Sequence, residues 1–273
     1  MPPKLSVAII TLNEEANLSR TLKSVLFADE IVIVDSGSTD RTLEIAASFK
    51  ATLFLEPWRG FAEQKNFAIE QCKGEWILSL DADEALTPEL QAEMRALLSA
   101  GPAADAYLLR RRNIFLGRWI RHGGYYPDAK LRLFRRYSAN FAPSARFTGR
   151  PVHEAIAIQG TLETLRHDIV HYAYPTVEDY IEHLNHYSTL GSQTLFDHGE
   201  TGQSAMSFAG NVLFCPILTF FRDYIFRAGF LDGREGLLLH LYHAIYTSWQ
   251  HAKAWEKIAG VPVPMHLAKD ESF

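Results

Sequence analysis

Apolar residues along the first hundred positions fall in short continuous runs, each followed by a stretch with helical spacing. Strands are expected at residues 6–12, 30–35, 51–56 and 76–81, and helices at 17–26, 40–49, 60–71 and 88–98. Continuous apolar runs mark strands covered on both faces, and their alternation with helices predicts a doubly wound α/β half. Thr87 ahead of Pro88 supplies an N-cap with proline at the first helical position, and Asp40 is expected to cap the second helix. From residue 106 to 172 the pattern turns to mixed β, with strands at 106–112, 130–135, 152–158 and 168–172. Beyond Pro175 it becomes helical, at 177–198, 203–231 and 233–259, before a proline-rich tail. This predicts an α/β domain over 1–175, divided near 105, and a helical region over 176–273.

The chemistry concentrates where strands end. Trp76, Ile77, Leu78 and Leu80 run directly into Asp81, Ala82 and Asp83, two carboxylates one residue apart. Ligands of such sheets gather at the carboxyl ends of the strands. Magnesium and manganese favour oxygen ligands and are held by one or two carboxylates together with substrate phosphates. Alone, the triplet reads equally well as a solvated acidic turn. Three further strand ends converge on the same edge: Thr11, Asn13 and Glu14; Asp35 with Ser36 to Asp40; and Gln64, Lys65 and Asn66 opening the third helix.

Composition narrows the field. The chain has 273 residues, 47% of them hydrophobic, and a net charge of -5. That acidity argues against bulk nucleic-acid binding. Between Arg110 and Arg136, however, nine basic residues stand against the single acid Asp128, a local +8. Cys72 and Cys215 lie outside any metal-ligand spacing, so neither a disulfide framework nor a structural zinc site is indicated, and a reducing cytosol fits. The amino terminus lacks the apolar core and cleavage site of a signal peptide, so the chain is expected to stay inside the cell.

The ordered motifs Thr-Leu-Asn-Glu-Glu, Val-Asp-Ser-Gly-Ser-Thr-Asp, Gln-Lys-Asn and Asp-Ala-Asp resemble those of the inverting family 2 glycosyltransferases of the GT-A fold, over about the first 110 residues. The resemblance implies a Rossmann-like mixed α/β sheet that binds a nucleotide-diphosphate sugar through residues 1–105 and an acceptor through 106–175. It implies that Asp35 accepts from the ring N–H of the base, that Thr11, Asn13 and Glu14 border base and ribose, and that Gly37 lets the backbone approach. Lys65 would touch base or phosphate, with a solvated helix-start lysine as the plain alternative. Asp81 would face ribose and metal, and Asp83 would bind the Mg2+ or Mn2+ that bridges the diphosphate. Glu154, beside His153, is the candidate base for the acceptor hydroxyl, against a polar pair on an edge strand. It is no zinc-protease motif, since Ala157 stands four beyond His153. His171 is a further candidate metal or diphosphate ligand, against a satisfied core histidine.

The segments 61–66, 130–135, 151–154 and 229–233 are similar to the lipopolysaccharide core β-glucosyltransferase branch. That implies UDP-glucose as donor, an anionic glycolipid acceptor met by part of the arginine cluster, and work at the inner face of the cytoplasmic membrane. Residues 201–221 carry no charge. Pro216, the polar residues Gln203, Ser204, Ser207, Asn211 and Thr219, and Arg222, Asp223 and Arg227 directly after favour a helix lying in the membrane interface over a buried helix or a span, with Arg222, Arg227, Arg234 and Lys253 near headgroups. A polyprenyl-phosphate glycosyltransferase, whose ionised acceptor needs no Glu154, and a non-catalytic nucleotide-sugar-binding module remain as alternatives. A sugar nucleotidyltransferase would need a glycine- and arginine-rich loop after the first strand, which is missing.

Overall fold

A computed structural model describes residues 4–137, 143–148, 155–158 and 160–259. The chain divides into two compact units, Met1–Thr176 and Val177–Phe273.

In the first unit the elements run β1 (Leu5–Thr11), α1 (Leu18–Ser24), β2 (Glu30–Asp35), α2 (Thr42–Ser48), β3 (Thr52–Leu55), α3 (Phe61–Gln71), β4 (Trp76–Asp81), β5 (Glu84–Leu86) and α4 (Pro88–Ala100). There follow β6 (Ala106–Phe115), β7 (Arg118–Ile120), β8 (Asp128–Arg135), β9 (Ala145–Thr148), β10 (Ala155–Ile158) and β11 (Leu162–Tyr174). Among the described residues nine strands form one sheet in the order β3-β2-β1-β4-β8-β6-β11-β5, with β7 paired to β6. The first four are parallel, and β8 enters antiparallel to β4. This is the mixed GT-A sheet that the motifs imply.

Two apolar clusters cover the sheet. Val7, Ile9, Trp76 and Leu78 join Leu18, Leu22 and Leu90 of the helices on one side, while Val32, Val34, Ile77 and Phe134 join Ala68 and Ile69 on the other. Thr87 caps α4, accepting from the Leu90 amide at 3.3 Å, as its place before Pro88 leads one to expect. Asp40 lies one residue before the observed cap of α2, Arg41, and instead accepts from the amides of Thr42 and Glu15.

Three short strands, β5, β7 and β9, escape the sequence pattern, and β11 begins earlier than residue 168. β5 is decisive for the site. Its three residues are all buried, and it pairs antiparallel with β11 in the register His171↔Glu84, Val170↔Ala85 and Ile169↔Leu86. Glu84 made this segment read as part of an acidic turn. The expected strand at 152–158 is described only as β10, paired with β9.

In the second unit α5 (Val177–Asp197) packs against the last helix, Gly233–Ala259. Lys253 does not behave as a headgroup anchor: its ammonium donates to the Asn185 carbonyl and to the hydroxyls of Ser188 and Thr189, at 2.7–2.8 Å. The helix expected at 203–231 is interrupted. A helical run, Ala205–Phe226, contains π turns at Gly210–Phe214 and Phe221–Phe226, and a 3-10 turn, Gly229–Asp232, follows.

Candidate active site

Three parallel strands deliver the site residues to one sheet edge, because register aligns their carboxyl ends: Thr11 lies beside Asp35, and Ile10 beside Asp81. The loops differ in how they are held.

At the end of β2 the Asp35 carboxylate is buried and fully engaged. One oxygen accepts from the amides of Gly37 and Ser38 at 2.9 and 2.8 Å, the other from the hydroxyls of Thr11 and Ser38 at 2.9 and 2.5 Å. A nucleotide base would have to displace one of these donors. Gly37 adopts φ +104, a conformation open to glycine and costly for other residues, and this turns the chain so that its own amide reaches Asp35. Asn13, at φ 54, ties the neighbouring loop to it, accepting from the Thr39 amide at 2.8 Å and donating its own amide to Ser38 Oγ. Glu14 donates its amide to Thr42 Oγ1 at 2.7 Å. Burial pushes the Glu14 carboxyl up to about 7; the Asn17 amide pulls it down, while the charges of Asp83, Asp40 and Asp81 push it further up.

At the end of β4 the carboxylates are held by cations. Asp81 is ion-paired with Lys65 at 2.7 Å and with Arg132. Burial disfavours its charge, but Arg132 and Lys65 overrule this and keep the carboxyl well below the usual range. Lys65 is buried, so the solvated-lysine alternative does not hold. Ala82 is buried, and its carbonyl accepts from Thr21 Oγ1 at 2.6 Å, which fixes the turn between the two acids.

Asp83 faces His171, with Oδ2 3.1 Å from Nε2, and its carbonyl accepts from the Tyr172 amide at 3.0 Å. Burial again opposes the charge, and His171 brings the Asp83 carboxyl below its ordinary value. The other ring nitrogen of His171, Nδ1, lies 2.8 Å from Asn113 Oδ1. Asn113 Nδ2 is directed at the Tyr125 carbonyl (3.2 Å) and the Asp128 carboxylate (3.4 Å), so its oxygen must face the histidine and Nδ1 must carry the hydrogen. The Nε2 edge of the ring thus faces the Asp83 carboxylate, and the two groups are placed to reach a cation between them. Among the described residues no three His, Cys, Asp or Glu side chains cluster tightly enough to hold a metal by themselves. Substrate oxygens would have to complete the shell, as magnesium sites commonly require.

Several residues of this site have no counterpart in the sequence reading. Glu84 is buried without exposure, accepts from the Asp81 amide at 3.1 Å, and is ion-paired with Arg132 at 2.7 Å and Arg111 at 3.4 Å. Arg111 also binds Asp128 at 2.6 Å; burial opposes the Asp128 charge, but Arg111 and Lys130 draw its carboxyl down to about 2. No sequence pattern announced this network: in Lys130-Leu131-Arg132-Leu133 the basic residues fall on what reads as the polar face of a strand, whereas Arg132 is buried.

The arginine cluster is accordingly not a free basic strip. Arg110 and Arg112 pair with the buried Asp168, and Arg135 with Glu75 and Asp105, acids that arrive from other strands and loops. Arg112 and Arg121 each lie 4.6 Å from the centroid of Trp119. His153 and Glu154 lie outside the described residues. The nearby β9 is anchored to α3, since the Asn66 side chain both donates to the Phe147 carbonyl and accepts from its amide, at 2.9 and 2.8 Å.

Comparison with known proteins agrees with this architecture. The glycosyl transferase family 2 model matches residues 6–153. The lipopolysaccharide core biosynthesis glycosyltransferase LpsC of Rhizobium meliloti is 32% identical over 95% of either chain, and an uncharacterized glycosyltransferase of Rickettsia bellii is 32% identical over 93% of this chain and 86% of its own. Among solved structures, S. aureus TarS 1-349 in complex with UDP-GlcNAc covers 94% of this chain and 92% of that one with a TM-score of 0.46 at 15% identity, a likeness too slight to decide donor or metal. With a family model over more than half its length and relatives aligned nearly end to end, the chain belongs to glycosyl transferase family 2 and is a glycosyltransferase.

Proposed function

We propose that the protein transfers a hexose, glucose in the first instance, from a UDP-sugar to an inner-core sugar of a lipopolysaccharide precursor, with inversion and with help from Mg2+ or Mn2+. The observation that carries this reading is the Asp83–His171 pair with Asn113 behind it, at the end of β4 where the strands present Asp35 and Asp81. The Rhizobium relative's role in lipopolysaccharide core biosynthesis supports the acceptor class.

The roles divide as follows. Asp83 and His171 would hold the ion, which would supply Lewis-acid stabilisation of the departing diphosphate. Asp81 keeps Lys65 at the same edge, where its ammonium can meet a phosphate oxygen by exchanging one anionic partner for another. Thr11, Asn13, Glu14, Asp35 and Gly37 form the wall against base and ribose. Glu154 takes the proton of the acceptor hydroxyl as its oxygen bonds to the anomeric carbon, and the nucleoside diphosphate leaves from the opposite face with the electron pair of the broken bond. The enzyme would act in the cytoplasm, at the inner face of the membrane where a lipid-linked acceptor is available.

The test is turnover of UDP-glucose with purified acceptor, titrated with manganese. Asp83→Ala is expected to lower kcat/KM by about 100-fold or more, beyond the ~10–100-fold typical of lost outer-sphere support of a metal ligand. Full turnover of that variant in a chelator would overturn the proposal.

A further inference from the structure

The exposed side of the helical run Ala205–Phe226 is continuous and apolar. Met206, Phe214, Leu218 and Phe226 are 86, 64, 67 and 82% exposed, and Ile217, Phe221 and Ile225 lie between them. Apolar positions recurring nearly every fourth residue drift around an ordinary helix of 3.6 residues per turn. The two π stretches, with wider turns, take up that drift and keep the stripe on one side.

The opposite side is committed to the last helix. Phe208 meets Trp255 with ring centroids 5.0 Å apart, Tyr224 meets His240 at 6.1 Å, and Ser248 Oγ donates to the Val212 carbonyl at 2.9 Å inside the first π stretch. The run is long enough to cross a bilayer, about 20 residues being needed. Crossing would nevertheless draw its packed partner, with His240, His243, Ser248 and Gln250, into hydrocarbon. An in-plane position keeps those groups on the wet side.

Charge is sorted in the same sense. Between residues 201 and 241 three arginines balance three acids by count. In space Asp223 and Asp232 are 3 and 2% exposed, whereas the side chains of Arg222 and Arg227 are each 53% exposed and Arg234 is exposed. Arg222 and Arg227 share the single carboxylate of Asp223, which leaves a net positive charge at the border of the apolar stripe. Two of the three acids are thus buried, and the third, Glu235, is half-buried beside Arg234. A tight turn fixes this sorting: a Cβ at Gly229 would stand 2.3 Å from His240 Nε2 and 2.8 Å from the Asp223 carbonyl.

We propose that this face is a monotopic docking surface for an anionic bilayer, with the stripe of Ala205–Phe226 in the acyl boundary and Arg222, Arg227 and Arg234 among acidic headgroups. The proposal rests on the membrane-bound acceptor named above and gives that membrane a footprint. An apolar face bordered by exposed arginines is the composition that interfacial helices use.

Flotation of the full chain with phosphatidylcholine vesicles, with and without phosphatidylglycerol, tests it without reading turnover. Strong binding is expected only with phosphatidylglycerol, weakening with salt. Phe214→Asp and Leu218→Asp should each lower binding tenfold or more, Arg234→Ala roughly fivefold, and the control Leu26→Asp, on another exposed apolar residue, not at all. Folded protein that ignores both vesicle types, binding indifferent to Leu218→Asp, or a stable dimer abolished by Leu218→Asp in sedimentation would overturn it. Vesicle binding without sugar transfer would instead count against the transfer reading alone.

Discussion

The ends of β2 and β4 both present buried carboxylates to the same edge, but they are stabilised in different currencies. Asp35 is saturated by four neutral donors of its own and the adjacent loop, so its position is fixed and its charge is dispersed among hydrogen bonds. Asp81, Asp83 and Glu84 are held by Lys65, Arg132, Arg111 and His171. A cationic partner can be exchanged for another cation with little change in the balance of charge; a set of neutral donors cannot. Under the proposed function, the first end would shape a wall and the second would change partners on binding a metal and a diphosphate.

The largest expected effect probes the cationic side. Arg132→Ala leaves the buried Glu84 and Asp81 with reduced compensation and should cost about 3–5 kcal/mol in urea unfolding; a loss under about 1 kcal/mol would mean that water already screens the network. Next comes Glu14, whose carboxyl is raised by burial to about 7. A group raised on folding favours the native state fully below its unfolded value of 4.5, and that contribution disappears as pH climbs through 7. The wild type should therefore lose on the order of 3 kcal/mol across this window relative to Glu14→Gln, read as the pH dependence of the urea midpoint. An identical pH profile for the two proteins would remove Glu14 from the charged group.

Asn113→Ala sharpens the picture at Asp83. Without the amide oxygen His171 is free to change tautomer or turn, and manganese affinity measured by calorimetry should fall ~10–100-fold. An unaltered affinity would show that His171 is oriented by something else. The smallest effect belongs to the neutral side: Asp35→Asn keeps one acceptor but opposes an amide to donors, at about 1–2 kcal/mol. If it proved as damaging as Arg132→Ala, the distinction between the two ends would collapse.

The parallel half of the sheet was legible because each strand is a single apolar run with a polar or acidic residue at its end. That rule placed Asp81 and Asp83 at the sheet edge, though only together with the other strand ends did it set them apart from an acidic turn. What the chain did not reveal are pairings set by distant partners. The +8 between Arg110 and Arg136 looked like an open basic surface because Glu75, Glu84, Asp105 and Asp168 lie outside the window, yet the sheet brings them beside it. Glu84 itself was invisible as a strand residue, since three residues show no period. Lys253 was grouped with Arg222, Arg227 and Arg234 near headgroups, whereas the hydroxyls of α5 that capture it are visible only once the two helices pack.

The three-residue strand β5 has a consequence for how this chain can vary in length. Its pairing with β11 sets Glu84 opposite His171 immediately after the paired acids. Adding or deleting a single residue between Asp83 and Glu84 would reverse which side of the sheet every later β5 side chain occupies, or drag the histidine's opposite number out of line. Insertions and deletions among descendants of this sequence should therefore spare that junction and accumulate at outlying bends, such as the link from α4 to β6.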